Sequence, residues 1–194
     1  MELSFMYDVH SNASTTLGNI TLALPLFEVH GCRPAEVVAI LSHELGHYKH
    51  KHLWQSTFID TVYMVVYGAI MMSFINSPSL LGSFGFYQKS YFVSFYLFTY
   101  LYSVSLDVLI RCCMRGINRK HEFDADAYAV EQGYGEPLRD SLIRCSAKSL
   151  DTLFTSRFDQ LMTADHPTLH DRLANINDVL RESPELKTKE YRTI

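Results

Sequence analysis

Charged residues are absent from two long stretches of the chain: none lies between Thr61 and Gln88 or between Ser90 and Leu106, and Lys89 stands alone between them. The apolar segments inside these stretches, TVYMVVYGAIMMSFI and SYFVSFYLFTYLYSVSL, are each shorter than the ~20 residues that comfortably span a bilayer. Taken together they favour a membrane setting. NSPSLLGSFGF separates them as a turn, and tyrosines crowd the second segment as they do near lipid–water interfaces. Lys49, Lys51, Arg111, Arg115, Arg119 and Lys120 gather at the outer ends. The pattern predicts a transmembrane hairpin of helices at about 57–77 and 89–110, with both ends cytosolic and membrane lipid as a partner.

The flanking regions alternate differently. LGNITLALPLFEV mixes β-branched and apolar residues between Gly18 and the break at Gly31, which predicts a short hairpin or edge strand within residues 1–32. Pro34, with Glu36 just inside, opens a helix expected over 33–55, and Val37, Val38, Ile40 and Leu41 carry it into ILSHELGHYKHKHL. RKHEFDADAYAVEQGYG reads as a polar-faced helix over 117–133 stopped by Gly133, and further helices follow within 134–194. The fold class is a mainly α membrane protein with a short N-terminal β element and the membrane hairpin inserted between two polar helices.

Composition narrows the partners. A net charge of -4 on 194 residues gives no reason to expect nucleic acid. Cys32, Cys112, Cys113 and Cys145 form neither a CxxC motif nor a disulfide framework, which fits a reducing compartment. MELSFMYDVHSN has an acidic residue at once and no sustained apolar core, so no cleavable signal peptide is expected.

The chemistry concentrates in SHELGHYKHKH. Residues four apart project from one face of a helix, so His43 and His47 can offer two imidazoles to one cation while Glu44 reaches a water bound to it. This is the HExxH pattern of zinc peptidases, in which zinc lowers the pKa of a water and the glutamate accepts its proton. A third ligand is required. The metzincin arrangement would place a histidine further along the same stretch, where Leu53 stands. A later helix supplies the alternative: HEFDADA offers Glu122 as ligand, with Asp126 four residues on to accept a hydrogen bond from the free ring nitrogen of a ligand histidine. His50 and His52 read as solvated or interfacial polar residues.

HSNA, AILSHELGHYKHKH, FGFY, RKHEFDADAYA and DHPTLHDRL, in that order, resemble the CAAX prenyl protease 1 family of integral membrane zinc metallopeptidases. The resemblance implies a gluzincin-type zinc peptidase domain in the endoplasmic reticulum membrane, its active site facing the cytosol or an intramembrane chamber. It implies one Zn2+ per chain, bound by His43, His47 and Glu122, and Glu44 as the base. The substrates implied are prenylated CAAX proteins or peptides, which lose their last three residues. By the same resemblance His166 of the HP motif stabilises the oxyanion, Asn12 of SNA holds the substrate backbone, and Arg172 of HDRL sits beside the site as a carboxylate partner. Family members carry a long N-terminal region of several spans, whereas Met1 stands a few residues before HSNA, so the resemblance is to the C-terminal catalytic half. Two other readings compete with it: a membrane quality-control zinc peptidase sharing HExxH and ExxxD, and a catalytically silent membrane fragment.

Overall fold

In the computed structural model, residues 2–6, 13–16, 19–23, 31–88, 90–149 and 156–182 are described. They divide into two units, one formed by 1–53 with 115–194 and the other by 54–114.

The first unit begins with β1 (Glu2–Met6), β2 (Ala13–Thr16) and β3 (Asn19–Ala23), in the order β1-β3-β2. β2 pairs antiparallel with β3, Ala13 opposite Leu22 and Thr16 opposite Asn19, while β1 runs parallel to β3 from Glu2 opposite Asn19 to Met6 opposite Ala23. The strands thus form a small sheet, with a parallel pair that a hairpin or edge strand alone would not contain.

Helix α1 (Pro34–Lys49) starts where Pro34 predicts. Its first turn is closed by Glu36, whose carboxylate accepts the Arg33 backbone N–H at 2.8 Å and the Arg144 guanidinium at 3.1 and 3.2 Å. Glu36 is only 2% exposed, so these partners are what make its burial tolerable. The helix expected over 33–55 is broken after Lys49: His50 caps it, Lys51 takes φ 58°, and a separate helix, α2 (His52–Ile75), follows.

Helix α5 (Leu106–Glu131) carries ExxxD and ends in the way Gly133 predicts. Gly133 adopts φ 93°, its N–H donates to the Val130 carbonyl, and the Tyr134 N–H donates to that of Ala129. This is a Schellman closure, which satisfies two carbonyls the helix end would leave open. Helices α6 (Gly135–Ser149), α7 (Arg157–Met162) and α8 (Leu169–Glu182) follow. The core of the unit is Ala39, Ala129, Val130, Leu138, Ile176 and Leu180, contributed by α1, α5, α6 and α8. Small residues on α1 and α5 let those two helices approach closely, which positions everything that follows.

The second unit comprises α2 from Trp54, α3 (Pro78–Ser83), α4 (Tyr91–Val104) and the start of α5. Trp54, Phe58, Met64, Val65, Phe92 and Tyr96 are all more than half exposed, an outward-facing apolar surface that water solvates poorly. Four hydroxyls on these helices are satisfied locally: Thr61, Ser73, Ser94 and Thr99 each donate to the carbonyl four residues back. α2 is long and apolar enough to cross a membrane. The second expected span is not one straight helix: α4 stops at Val104, and α4 and α5 meet at a 46° bend. Ser105 marks the break, with φ -124° and ψ -80°, outside helical geometry.

Candidate metal centre

The ligand spacing on α1 depends on the helical period. His43 and His47 lie one turn apart with their Nε2 atoms 3.2 Å from each other and their rings edge to face. Glu122 reaches them from α5: Oε2 is 3.6 Å from His43 Nε2, and Oε1 is 3.6 Å from His47 Nε2. One donor atom from each of the three falls within 4.8 Å of the others. Donors of a tetrahedral centre with bonds of ~2.0–2.2 Å stand about 3.3–3.6 Å apart, so two imidazoles and a carboxylate so placed fit zinc in both chemistry and spacing.

Two of the candidate ligands, His43 and Glu122, are held from behind. Asp126, fully buried, stands with Oδ1 2.9 Å from Nδ1 of His43. That contact makes Nδ1 the protonated nitrogen and turns the Nε2 lone pair toward Glu122 and His47. Arg172, from α8, donates to both Asp126 oxygens at 2.6 and 2.9 Å and sets Nη1 3.3 Å from Glu122 Oε2. Sequence spacing gave no signal for Arg172 beyond the family resemblance, because 46 residues separate it from Asp126. Glu44 is buried beside His43, and its charge helps hold that of Arg172.

His166 arrives on the loop before α8. Arg119 of α5 donates to the Gln160 and Ala164 carbonyls at 3.1 and 3.3 Å, Arg115 pairs with Asp165 at 3.3 Å, and His166 Nδ1 lies 3.3 Å from Glu122 Oε1. Thr168 then caps α8, its Oγ1 accepting the Asp171 N–H at 3.2 Å. Asn12 lies outside the described residues.

The charges reinforce one another. Burial by itself would raise the Glu122 carboxyl, but the His166 hydrogen bond, Arg172, His43 and His47 hold it far below the ordinary carboxylate range. Asp126 is likewise penalised by burial, yet Arg172 and His43 keep it ionised and its pKa low. His47 is pushed down to about 4, first by burial and then by His43, so at neutral pH its ring is uncharged and able to act as a ligand. His166 is shifted upward by its hydrogen bond to Glu122.

One residue departs from its sequence reading. His52, expected among solvated or interfacial groups, is 4% exposed, and its Nδ1 stands 2.9 Å from Nδ1 of His47. A helix continued through residue 52 would not bring the two rings together in this way; the break at Lys51 does. His50, by contrast, is exposed as expected.

A model described as Peptidase family M48 matches residues 4–180. CAAX prenyl protease 1 of Saccharomyces cerevisiae is 29% identical over 188 residues, covering 88% of this chain and 41% of that protein. The probable CAAX prenyl protease 1 of Schizosaccharomyces pombe is 35% identical over 146 residues, with 73% of this chain and 30% of the relative covered. The human CAAX prenyl protease 1 homolog is 30% identical over 145 residues, 74% of this chain and 30% of its own length. Among solved structures, the crystal structure of S. mikatae Ste24p superposes with a TM-score of 0.72 at 27% identity, over 86% of this chain and 42% of that one. The chain spans about a third of the length of the curated relatives it matches.

Proposed function

The chain belongs to peptidase family M48, and we propose that it is a zinc endopeptidase that removes the C-terminal tripeptide from prenylated CAAX proteins in the endoplasmic reticulum membrane. The observation that carries the reading is the convergence of His43, His47 and Glu122 from two helices, within 4.8 Å. The curated relatives' names supply the substrate class.

His43 Nε2, His47 Nε2 and a Glu122 oxygen would hold the zinc, and Asp126 and Arg172 keep that set in register. When bound, zinc supplies a water of lowered pKa and polarises the scissile carbonyl. Glu44, one residue from His43, accepts the water's proton on its carboxylate and delivers it to the leaving amine. His166 is placed on the Glu122 side, where its ring N–H can donate to the developing oxyanion. Asn12, on the strength of the resemblance, orients the substrate backbone. The apolar surface of α2 and α4 keeps the enzyme in the bilayer where its lipidated substrate resides.

The test combines zinc content with cleavage of a farnesylated CAAX peptide by detergent-solubilised protein. Wild type is expected to hold one zinc and to cut only the prenylated peptide, and Glu44→Gln to keep the metal while losing about 10²–10⁴ in rate. Equal cleavage of the unprenylated peptide would favour a quality-control peptidase. Full activity in Glu44→Gln would reject the mechanism.

A further inference from the structure

Every imidazole that ligates through Nε2 must carry its proton on Nδ1, and something must accept it. For His43 that acceptor is Asp126. For His47 the neighbour is another histidine: Nδ1 of His52 lies 2.9 Å from Nδ1 of His47, with the rings 77° apart, so that the edge of one addresses the edge of the other.

The His52 ring is firmly held. It stacks on His121 of α5 at 4.1 Å and 12°, and lies nearly parallel to His50 at 5.5 Å and 15°. At 4% exposure it has little contact with water. The backbone that delivers it is strained: Lys51 takes φ 58°, a left-handed conformation unfavourable for a non-glycine residue, which persists where surrounding contacts over-determine it. Strain, burial and two ring stacks all bring one nitrogen against a proposed zinc ligand.

We propose that His52 is a positioning residue for His47, accepting the Nδ1–H of His47 on its own Nδ1 and so fixing the tautomer that leaves His47 Nε2 free for the metal. His52 itself then carries its proton on Nε2. The two ligand histidines are therefore backed unequally, His43 by a carboxylate held by arginine and His47 by a neutral ring. The proposal rests on the reading of His43, His47 and Glu122 as a zinc centre.

Two variants separate acceptor from packing. His52→Phe keeps a flat ring against His121 but has no acceptor; His52→Asn has an amide oxygen near the place of Nδ1 but no ring. Zinc affinity of detergent-solubilised protein, measured by competition with a chromophoric chelator, is expected to fall about 10–100-fold in His52→Phe and to stay within a few-fold of wild type in His52→Asn. Imidazole 15N shifts of the metal-free protein provide a readout that needs no zinc: His47 should be the Nδ1–H tautomer in wild type and His52→Asn, and a tautomer mixture in His52→Phe. Unchanged affinity in His52→Phe, or equal loss in both variants, would overturn the proposal. Failure of wild type to bind zinc while the tautomer pattern holds would instead count against the zinc centre and leave the His52–His47 pair standing.

Discussion

Gly46 of α1 packs directly on Ala125 of α5: a Cβ added at Gly46 would meet Ala125 Cα at 3.0 Å, the Ala125 carbonyl oxygen at 3.1 Å and Tyr128 Cβ at 3.1 Å. Gly46 lies between His43 and His47 in the sequence, and Ala125 lies between Glu122 and Asp126. The close approach of the two helices at this point sets the distance across which the three candidate ligands meet.

Gly46→Ala is therefore expected to weaken zinc binding although it changes no ligand. Alanine would gain about 1 kcal/mol of helix propensity over glycine. Overpacking costs typically ~1–3 kcal/mol, and here two of the three opposing atoms are backbone that cannot rotate away. The clash should win, lowering both the melting temperature and the zinc affinity. A variant as stable as wild type with unchanged affinity would show that the helices can part without disturbing the ligands.

Asp126→Ala should be more damaging to the fold than loss of one buried hydrogen bond implies. It strands Arg172, whose side chain is largely buried against that carboxylate, and breaking a buried pair on one side costs about 3–5 kcal/mol. Because the Asp126 pKa is depressed in the folded protein, the stabilisation is fully present above an unfolded pKa of about 3.9 and is lost as pH falls through the lower folded value. Thermal unfolding at pH 7 and at successively lower pH should show the wild-type advantage over Asp126→Ala persist to about pH 4 and shrink below it.

Glu122→Ala and His166→Ala are expected to fail differently. The first removes a donor from the cluster and should deplete zinc. The second should retain zinc and lose about 10²–10³ in kcat, as for a missing oxyanion donor. Metal analysis beside single-turnover cleavage distinguishes them, and zinc loss in His166→Ala would make that residue a ligand and displace Glu122.

Lys51→Gly should stabilise the protein. The left-handed conformation costs an L-residue roughly 1–2 kcal/mol, while glycine loses about 0.5–1 kcal/mol more backbone entropy on folding. The balance favours glycine by up to about 1.5 kcal/mol, seen as a raised melting temperature with zinc affinity unchanged. A lower melting temperature would mean that the exposed Lys51 side chain makes a contribution larger than the strain it carries.

What the sequence determined by itself was local. Four-residue spacing alone puts His43 beside His47 and Glu122 beside Asp126, because the helical period places such pairs on one face whatever surrounds them. Pro34 and Gly133 announce helix ends through φ restriction and φ freedom, and the charge-free stretches declare an apolar environment. The remaining features needed the tertiary structure. The turn at Lys51 that carries His52 onto His47 is legible in no propensity, since lysine is a poor choice for that conformation; it is accompanied by contacts from elsewhere in the fold, among them the stack of His52 on His121. The break at Ser105 likewise interrupts a run that reads as continuous. Arg172 and Ala125 acquire their importance from the faces that α8 and α5 present to α1, and such long-range pairing is set by the complementary shape and charge of whole helices rather than by any residue's own preference.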